Sequence, residues 1–277
     1  SDNLIRGYDP TPPNPAPAQP PSQDSVQTTD GHAAAITSLT FANDNRTAYS
    51  AASDGSLRGW AIASAAATAT LTGHQSQVYS VAFHPAGKLV ASASNDKTVK
   101  IWDTTNNQNI RTFAAQGGAI YNLLFTADGQ FILTAGGDKT VRVYKTDDGS
   151  EVRKFSGPED AVYSVALSPN GQMVAAAGLD RKIYLWDFNT AAAIKTLTGH
   201  KDDIYRVEFN PAGNKLASVG YAGNVNVWDI GGGQPVFQHK FPGIVLYSMT
   251  YSPSGQQLAV MGNDSKVYLL DLPANAH

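Results

Sequence analysis

The chain has 277 residues, a formal net charge of -3, no cysteine and 16% charged side chains. The lack of cysteine excludes disulfides, thiol chemistry and cysteine-ligated zinc. The slightly acidic balance differs from the basic surface of nucleic-acid binders, and no apolar stretch approaches the roughly 20 residues that span a bilayer. We therefore expect no nucleic-acid partner and no direct insertion into a membrane.

The N-terminal segment differs in composition from the rest of the chain. Residues 11–21 are rich in proline and contain no aromatic residue. This composition favours an extended, polyproline-like backbone that packs poorly. We predict a tail at residues 1–24 and a folded domain at residues 25–277. The tail is expected to tether the domain to another module, a membrane anchor or an assembly, or else to serve as the ligand of a partner groove.

A period of 42 residues, without insertion or deletion, runs through the predicted domain. It is clearest in the series Trp60, Trp102, Tyr144, Trp186, Trp228 and Leu270. The same step recurs in the series Phe41, Phe83, Phe125, Leu167, Phe209 and Tyr251, and again in Asp54, Asp96, Asp138, Asp180 and Asp264. A fixed period of this size is typical of units that stack or radiate from an axis.

One unit shows four short strands. In the second unit, alternation of apolar and polar residues predicts strands at residues 78–83, 89–93, 98–102 and 109–113, with turn-forming residues between them. Turn signals every 8–12 residues are typical of all-β proteins. Four short strands cannot bury both faces of their sheet, so the units must pack on one another.

The motifs of these units resemble those of the WD40-repeat family. Gly73-His74, Asp96 and Trp102-Asp103 are similar to the Gly-His, Asp and Trp-Asp positions of that repeat. The opening pair recurs at Gly31-His32 and Gly199-His200, and the closing pair at Trp186-Asp187 and Trp228-Asp229. The resemblance implies an all-β propeller built from four-stranded blades, over residues 25–272.

The strand count predicts six blades, of which the last lacks its outer strand. Only six residues follow Leu270-Asp271, too few for a turn and a strand. We expect residues 24–29 to supply that strand and to close the ring. The alternative is a seventh blade of about 40 residues, supplied by a missing segment or by a partner.

The resemblance also implies a buried His–Ser–Asp–Trp hydrogen-bond network in each blade. Because a buried indole N–H needs an acceptor, Ser would accept from Trp, and His would bridge Ser to Asp. A hydrolase interpretation is disfavoured, because an active site has no reason to repeat in successive blades. The network residues, with Ala222 replacing Asp in blade five, are His32, Ser50, Asp54, Trp60, His74, Ser92, Asp96, Trp102, His200, Ser218 and Trp228.

A tyrosine series marks the start of the first strand in five blades. Its members are Tyr79, Tyr121, Tyr163, Tyr205 and Tyr247, with Thr37 in blade one. By the family resemblance this position faces the top rim of the channel, together with Gln77, Asn95, Leu179, Asp203, Arg206 and Tyr221. The tyrosines either bind a protein or peptide partner, fill space between blades, or line a small-molecule pocket. Arg206 replaces the serine of other blades and is expected to pair with Asp203 or with an acidic ligand group.

We therefore expect a non-catalytic interaction platform whose Tyr-lined face binds a protein or peptide, without cofactor or metal. The alternatives are a structural subunit of a larger assembly and an enzyme or ligand-binding propeller that acts at the central channel. Equal repeat lengths argue against the enzyme, since catalytic sites on such scaffolds usually need added loops. The short loops suggest a bacterial origin, and the composition of the tail suggests an exported protein.

Overall fold

The protein is described by a computed structural model for residues 4–7, 27–114 and 116–277, and all regular structure in these ranges is β-strand. These ranges contain no helix, and so no helix that could cross a membrane. The all-β class predicted from the alternation and the turn spacing is confirmed.

Two short strands precede the repeats. They are β1 (Leu4–Gly7) and β2 (Gln27–Asp30), which pair antiparallel. Strand β1 lies within the predicted tail, whose proline-rich residues 11–21 fall outside the described residues. Strand β2 overlaps the segment 24–29 that was expected to complete the sixth blade. It pairs with β1, so closure of the ring by this segment stays a prediction, as does the boundary at residue 24.

Each of the first three repeats forms one four-stranded antiparallel sheet in sequence order. Blade one contains β3 (Ile36–Phe41), β4 (Thr47–Ala52), β5 (Leu57–Ala61) and β6 (Ala66–Leu71). Blade two contains β7 (Val78–Phe83), β8 (Leu89–Ser94), β9 (Thr98–Asp103) and β10 (Gln108–Ala114). Blade three contains β11 (Ile120–Phe125), β12 (Phe131–Gly136), β13 (Val141–Lys145) and β14 (Glu151–Phe155).

The last three repeats follow the same plan, except that blade six ends at its third strand. Blade four contains β15 (Val162–Leu167), β16 (Met173–Gly178), β17 (Ile183–Asp187) and β18 (Ala193–Leu197). Blade five contains β19 (Ile204–Phe209), β20 (Lys215–Gly220), β21 (Asn224–Asp229) and β22 (Pro235–Lys240). Blade six contains β23 (Leu246–Tyr251), β24 (Gln257–Gly262) and β25 (Val267–Asp271), and no fourth strand is described after β25.

Contacts between consecutive first strands arrange the blades as a propeller. Strand β7 contacts β3 and β11, and β19 contacts β15 and β23, so the first strands lie around a common axis. The six repeats predicted from the period are therefore confirmed as six blades of one propeller.

The turn between the first and second strands explains a second repeated residue. The series Gly87, Gly129, Gly171, Gly213 and Gly255 has φ between 70° and 82°. This left-handed conformation is strained for most residues and free for glycine. Asn45 holds the same position in blade one with φ 53°, and asparagine is among the few residues that tolerate it.

The core consists of apolar layers between neighbouring blades. The layer between blades four and five joins Ile183 and Leu185 of the third strand to Val207 and Trp228 of the next blade. Five such layers join the six blades in order. Each blade is thus stabilised mainly by the apolar area that its neighbour covers.

The repeat offers a matched test of this packing. Leu185 and Leu269 hold the same repeat position, but Leu185 is fully buried and Leu269 is 69% exposed. We expect Leu185→Ala to lower the free energy of unfolding by about 2–5 kcal/mol, and Leu269→Ala to lower it by less than about 0.5 kcal/mol. Urea denaturation measures both values. Equal losses would contradict the layer structure, because they would mean that Leu269 is covered in solution.

Candidate binding rim and blade clamps

The tyrosine series occupies a β-bulge in the first strand of five blades. In blade two the pairing of β7 with β8 shifts between Val78 and Ser80, which leaves Tyr79 without a direct cross-strand partner. The same shift surrounds the corresponding residue in every other blade, including Thr37 in blade one. A bulge re-aims the side chain that it carries. The sequence predicted the series but not the bulge.

The five tyrosine rings form a continuous arc, which we call the tyrosine arc. Each ring contacts the ring of the next blade, at centroid distances of 5.2, 4.8, 5.6 and 6.0 Å along the series Tyr79, Tyr121, Tyr163, Tyr205 and Tyr247. Such distances lie within the favourable range for aromatic pairs. The arc therefore consists of mutually supported, pre-positioned side chains.

The rings are partly covered while one end of the arc is open. The first four are half-buried, and Tyr247 is exposed. Burial, followed by the neighbouring Tyr121 hydroxyl, raises the pKa of Tyr79, and the same causes raise the pKa of Tyr163 to about 12. Burial also raises the pKa of Tyr205. These hydroxyls are therefore neutral at ordinary pH and available as hydrogen-bond donors and acceptors.

Backbone hydrogen bonds gather the flanking rim residues at the same end of each blade as the arc. The residue after the second strand donates its N–H to the carbonyl of the residue before the first strand. Asn95 thus donates to Gln77 at 2.9 Å, and Tyr221 donates to Asp203 at 3.0 Å. Leu179 makes the corresponding bond to Ala161 at 3.0 Å. The structure therefore brings Gln77 next to Asn95 and Asp203 next to Tyr221, whereas it places Arg206 beside Glu208.

A group of acidic side chains lies beside the arc at blades four and five. Burial raises the pKa of Asp203; Arg181 opposes this shift, and the negative charges of Asp202 and Asp160 add to it. Asp203 and Asp160 also contribute to the raised pKa of Tyr163. Three acidic side chains and Arg181 therefore lie close together at this part of the rim.

The expected ion pair between Arg206 and Asp203 was wrong. Arg206 Nη2 lies 3.9 Å from Glu208 Oε2 instead, and no ion pair with Asp203 occurs among the described residues. Residues two apart on a strand share a face, so Arg206 and Glu208 point the same way. Asp203 precedes the bulge between Ile204 and Arg206, which separates it from that face.

A series of side-chain hydrogen bonds links consecutive first strands, and sequence reasoning missed it. In each case a side-chain oxygen accepts the backbone N–H of a residue 43 positions later. Ser38 accepts from Val81 at 3.3 Å, Ser80 from Leu123 at 3.2 Å, Asn122 from Val165 at 3.0 Å and Ser164 from Val207 at 3.1 Å. These bonds satisfy N–H groups that the innermost strand cannot pair within its own sheet.

Blade five interrupts this inner series at Arg206. An arginine side chain has no acceptor, so it cannot replace the serine oxygen. Glu208, two residues later on β19, accepts from the backbone N–H of Tyr251 at 3.1 Å. Thr40 makes the corresponding bond in blade one, where it accepts from the N–H of Phe83 at 3.3 Å.

The predicted clamps form in blades one and two. In blade two, Trp102 Nε1 donates to Ser92 Oγ at 2.9 Å, and Ser92 Oγ lies 2.7 Å from His74 Nε2. His74 Nδ1 lies 2.8 Å from Asp96 Oδ2. Burial opposes ionisation of Asp96, but hydrogen bonds from Thr98, Gln75 and His74 outweigh it and lower its pKa to about 2.

Blade one repeats this geometry. Trp60 Nε1 donates to Ser50 Oγ at 2.7 Å, Ser50 Oγ lies 2.7 Å from His32 Nε2, and His32 Nδ1 lies 3.2 Å from Asp54 Oδ2. Burial lowers the pKa of both clamp histidines, against the opposing hydrogen bond of each Asp. In each set the His and Ser side chains are buried beside an indole ring, which suits a structural clamp.

In blade five the clamp lacks its carboxylate. Trp228 Nε1 donates to Ser218 Oγ at 2.8 Å, and Ser218 Oγ lies 2.6 Å from His200 Nε2. A surface pocket of about 330 Å³ lies beside Ala222, and Lys201 and Lys240 form part of its lining. Burial lowers the pKa of His200 to about 4, with only Asp202 opposing the shift.

The blades that lack the clamp histidine hold their repeated Asp in another way. The residue four positions after the Asp contacts it: Arg142 Nη2 lies 2.8 Å from Asp138 Oδ2, and the Tyr184 hydroxyl donates to Asp180 at 2.9 Å. The Tyr268 hydroxyl donates to Asp264 at 2.6 Å in the same way. These three polar contacts take the place of the histidine in blades three, four and six.

The described ranges contain no group of three or more His, Asp or Glu side chains placed to hold a metal ion. His84 Nε2 instead lies 3.1 Å from the carbonyl oxygen of Gly129, and its ring packs against Phe125 at 5.0 Å. This histidine therefore joins blades two and three.

The blade-five clamp predicts a pH dependence of stability. The pKa of His200 is about 4 in the folded protein and about 6.5 in an unfolded chain, so its contribution is complete above pH 6.5 and is lost as pH falls towards 4. Such a group changes the free energy of unfolding by at most about 1.4 kcal/mol per pH unit.

The matched variant is His200→Gln, because Gln116 holds this repeat position in blade three. Urea denaturation at pH 7 and pH 5 should show a smaller loss of stability for this variant than for the wild type. Asp147→Asn, at an exposed turn, serves as the control. An unchanged pH dependence in His200→Gln would contradict the assignment.

The repeats also match a known family. The model described as "WD domain, G-beta repeat" matches residues 23–61, 66–103, 107–145, 149–187 and 192–229, which together cover more than half of the chain. No curated protein matches the chain. The second matched segment runs from the fourth strand of blade one through the third strand of blade two, which is the phase expected of this repeat. Six blades with this strand order, this period and these matches show that the chain belongs to the WD40-repeat family of β-propeller proteins.

Proposed function

We propose that this protein is a non-catalytic interaction platform that binds a protein or peptide partner on the tyrosine arc. Propellers of the WD40 family commonly serve as interaction scaffolds and are generally not enzymes. We propose in addition that the tyrosine arc is the surface on which this protein binds its partner. It rests on one observation, the unbroken contact of five tyrosine rings across five blades.

Tyrosine rings held in this way suit recognition of a partner. Each ring offers a flat apolar face and a hydroxyl, and tyrosine is enriched among the residues that dominate binding energy. The neighbouring rings and the bulges restrict each side chain before binding, which reduces the entropy lost on association. A surface of this kind binds without a large change in backbone conformation.

The charge beside the arc favours one class of partner. Asp203 lies near both Tyr163 and Tyr205, Asp160 lies near Tyr163, and Asp202 and Arg181 lie near Asp203. A partner segment with an apolar or aromatic anchor and a nearby Lys or Arg would complement this region. The expected ligand is therefore a short, basic, aromatic-containing segment.

Space filling between blades is the competing account of the tyrosines. The half-buried state of the first four rings agrees with it as well as with binding. The two accounts differ in what truncation should do. Packing residues support stability, whereas docking residues support affinity, so both quantities must be measured on the same variants.

The test uses peptides selected on the wild-type protein from a random library displayed on phage. For a selected peptide, we expect Tyr121→Ala with Tyr163→Ala to weaken binding by about 30-fold or more, since hot-spot residues contribute 2 kcal/mol or more. Isothermal titration calorimetry gives the affinity, and thermal unfolding gives Tm. The control pair is Ile110→Ala with Ile194→Ala, which removes exposed apolar side chains from fourth strands.

Loss of affinity with Tm held near the wild-type value would support the docking surface. Collapse of Tm in the tyrosine pair would instead assign the rings to packing. Unchanged affinity with unchanged Tm, or an equal loss of affinity in the control pair, would also overturn the proposal.

A further inference from the structure

The clamp of blade five has the turn of its siblings without their carboxylate. Ala222 stands at the repeat position of Asp96, and each of the other blades has an Asp there. The turn that carries Ala222 is otherwise the same. The N–H of Gly223 donates to the carbonyl oxygen of Gly220 at 3.1 Å, and Gly223 has φ 74°, close to the 69° of Lys97 in blade two. Blade five thus lacks only the side-chain acceptor at this point of the turn.

Two donors reach the repeated carboxylate in the other blades. The N–H of the residue after the histidine position donates to the Asp in each of blades one to four, at 2.9 to 3.3 Å. In blades one and two the histidine Nδ1 also lies 3.2 and 2.8 Å from this Asp. In blade five these two positions belong to Lys201 and His200.

The hydrogen bonds of His200 show which ring nitrogen carries the proton. The side-chain Nδ2 of Asn226, which can only donate, lies 3.1 Å from His200 Nε2. Nε2 is therefore the acceptor, and the proton of the neutral ring is on Nδ1. Burial lowers the pKa of His200 to about 4, so the ring is neutral at pH 7. Within the described ranges, neither Nδ1–H of His200 nor the N–H of Lys201 donates to an acceptor.

A surface pocket of about 330 Å³ lies at this point of blade five. Lys201 and Ala222 both line it. The third and fourth strands contribute two cross-strand pairs to its lining, and the side chains of each pair share one face of the sheet: Asn224–Lys240 and Asn226–Gln238. Its volume lies at the lower end of the range of small-molecule sites.

The lining carries a net positive charge. Lys201 and Lys240 supply two ammonium groups, and no ion pair joins either of them to an acidic side chain in the described part of the chain. Asp202 supplies one carboxylate, and His239 also lines the pocket. Two cations against one anion favour an anionic ligand.

We propose that this pocket binds a small organic acid. Its carboxylate accepts from Nδ1–H of His200 and from the N–H of Lys201, as the Asp side chain does in other blades. The rest of the acid lies towards the ammonium groups of Lys201 and Lys240. This site is separate from the tyrosine arc, and the proposal does not depend on what the arc binds.

The donor pattern fits a carboxylate. In blade two, one oxygen of Asp96 accepts from His74 Nδ1 and from the N–H of Gln75, at 2.8 and 3.0 Å. The other oxygen accepts from the N–H and the hydroxyl of Thr98. Asn224 holds the position of Thr98 in blade five and lines the pocket. Two oxygens on one planar group therefore match the donors that the repeat provides.

Succinate is the probe, and acetate is its short counterpart. The titration follows the Lys201 amide and the His200 imidazole by NMR in the 277-residue chain. We expect succinate to shift both resonances and to raise the pKa of His200 above its value of about 4, because a bound carboxylate favours the imidazolium. Acetate should shift the same resonances with lower affinity, since its second end cannot reach the lysines.

Ala222→Asp supplies the carboxylate from the chain itself. We expect it to weaken succinate binding by about tenfold or more, because the site is filled and like charges repel. It should also raise the pKa of His200 in the absence of succinate. Lys240→Gln should weaken succinate binding by about two- to fivefold and leave acetate binding unchanged. Lys266→Gln, which makes the same change of charge in blade six, is the control.

A second variant tests the same chemistry in blade two. Asp96→Ala gives that blade the arrangement of blade five, and it remains informative if Ala222→Asp fails to fold, as judged by circular dichroism. We expect acetate to raise the Tm of Asp96→Ala by more than it raises the Tm of the wild type. Sodium chloride at the same ionic strength controls for the effect of salt.

Several results would overturn the proposal. They are unchanged Lys201 and His200 resonances in succinate, equal succinate affinity in the wild type and Ala222→Asp, and the absence of an acetate effect on Asp96→Ala. Inorganic phosphate that binds as tightly as succinate would show a site for charge alone. A glutamyl peptide with both ends blocked that binds more tightly than succinate would assign the pocket to an acidic segment of a protein partner instead of a free acid.

Discussion

Every blade of this propeller depends on the apolar face of its neighbour. A four-stranded sheet of short strands has two faces and too little area to bury either one alone. The layer formed by Ile183, Leu185 and Trp228 shows the solution, in which the third strand of one blade packs under the tryptophan of the next. The contacts between neighbouring blades therefore provide most of the stability. In the described part of the chain, blades one and six each lack a second neighbour, and they expose residues at positions that are buried in the other blades.

The features that we propose for function depend on this packing between neighbouring blades. Packing of consecutive first strands brings the bulges of neighbouring blades to one end, and the bulges aim the tyrosines at one another. The clamps fix the outer parts of the blades, and the hydrogen bonds between first strands fix the inner parts. The tyrosine arc thus belongs to a surface that is rigid because its supports repeat.

The period made most of the fold predictable. Strands predicted at residues 78–83 and 98–102 lie at Val78–Phe83 and Thr98–Asp103, because alternation and turn residues agree in every copy. The clamps of Trp60 and Trp102 were also predictable, because the resemblance to the WD40 family implies them. Repetition averages out the local ambiguity that usually limits strand prediction in a single segment.

What the sequence could not provide were contacts that depend on backbone detail. The bulge at Tyr79 leaves no mark in composition, and Tyr184 reaches Asp180 only because residues four apart meet across the turn that leads into the third strand. The pairing of Arg206 with Glu208 likewise follows from the bulge before it. The repeat pattern could not predict that blades one and six each expose an apolar face, because the sequences of these faces match those of faces that are buried in the other blades.

Protection of each blade by its neighbours can be measured by residue-resolved amide hydrogen exchange. We expect amides in the middle of β3 and β25 to exchange faster than amides at the same repeat positions in β11 and β17, which lie between two neighbours. Equal protection at these positions would contradict it, because the first and last blades would then be covered as fully as the rest.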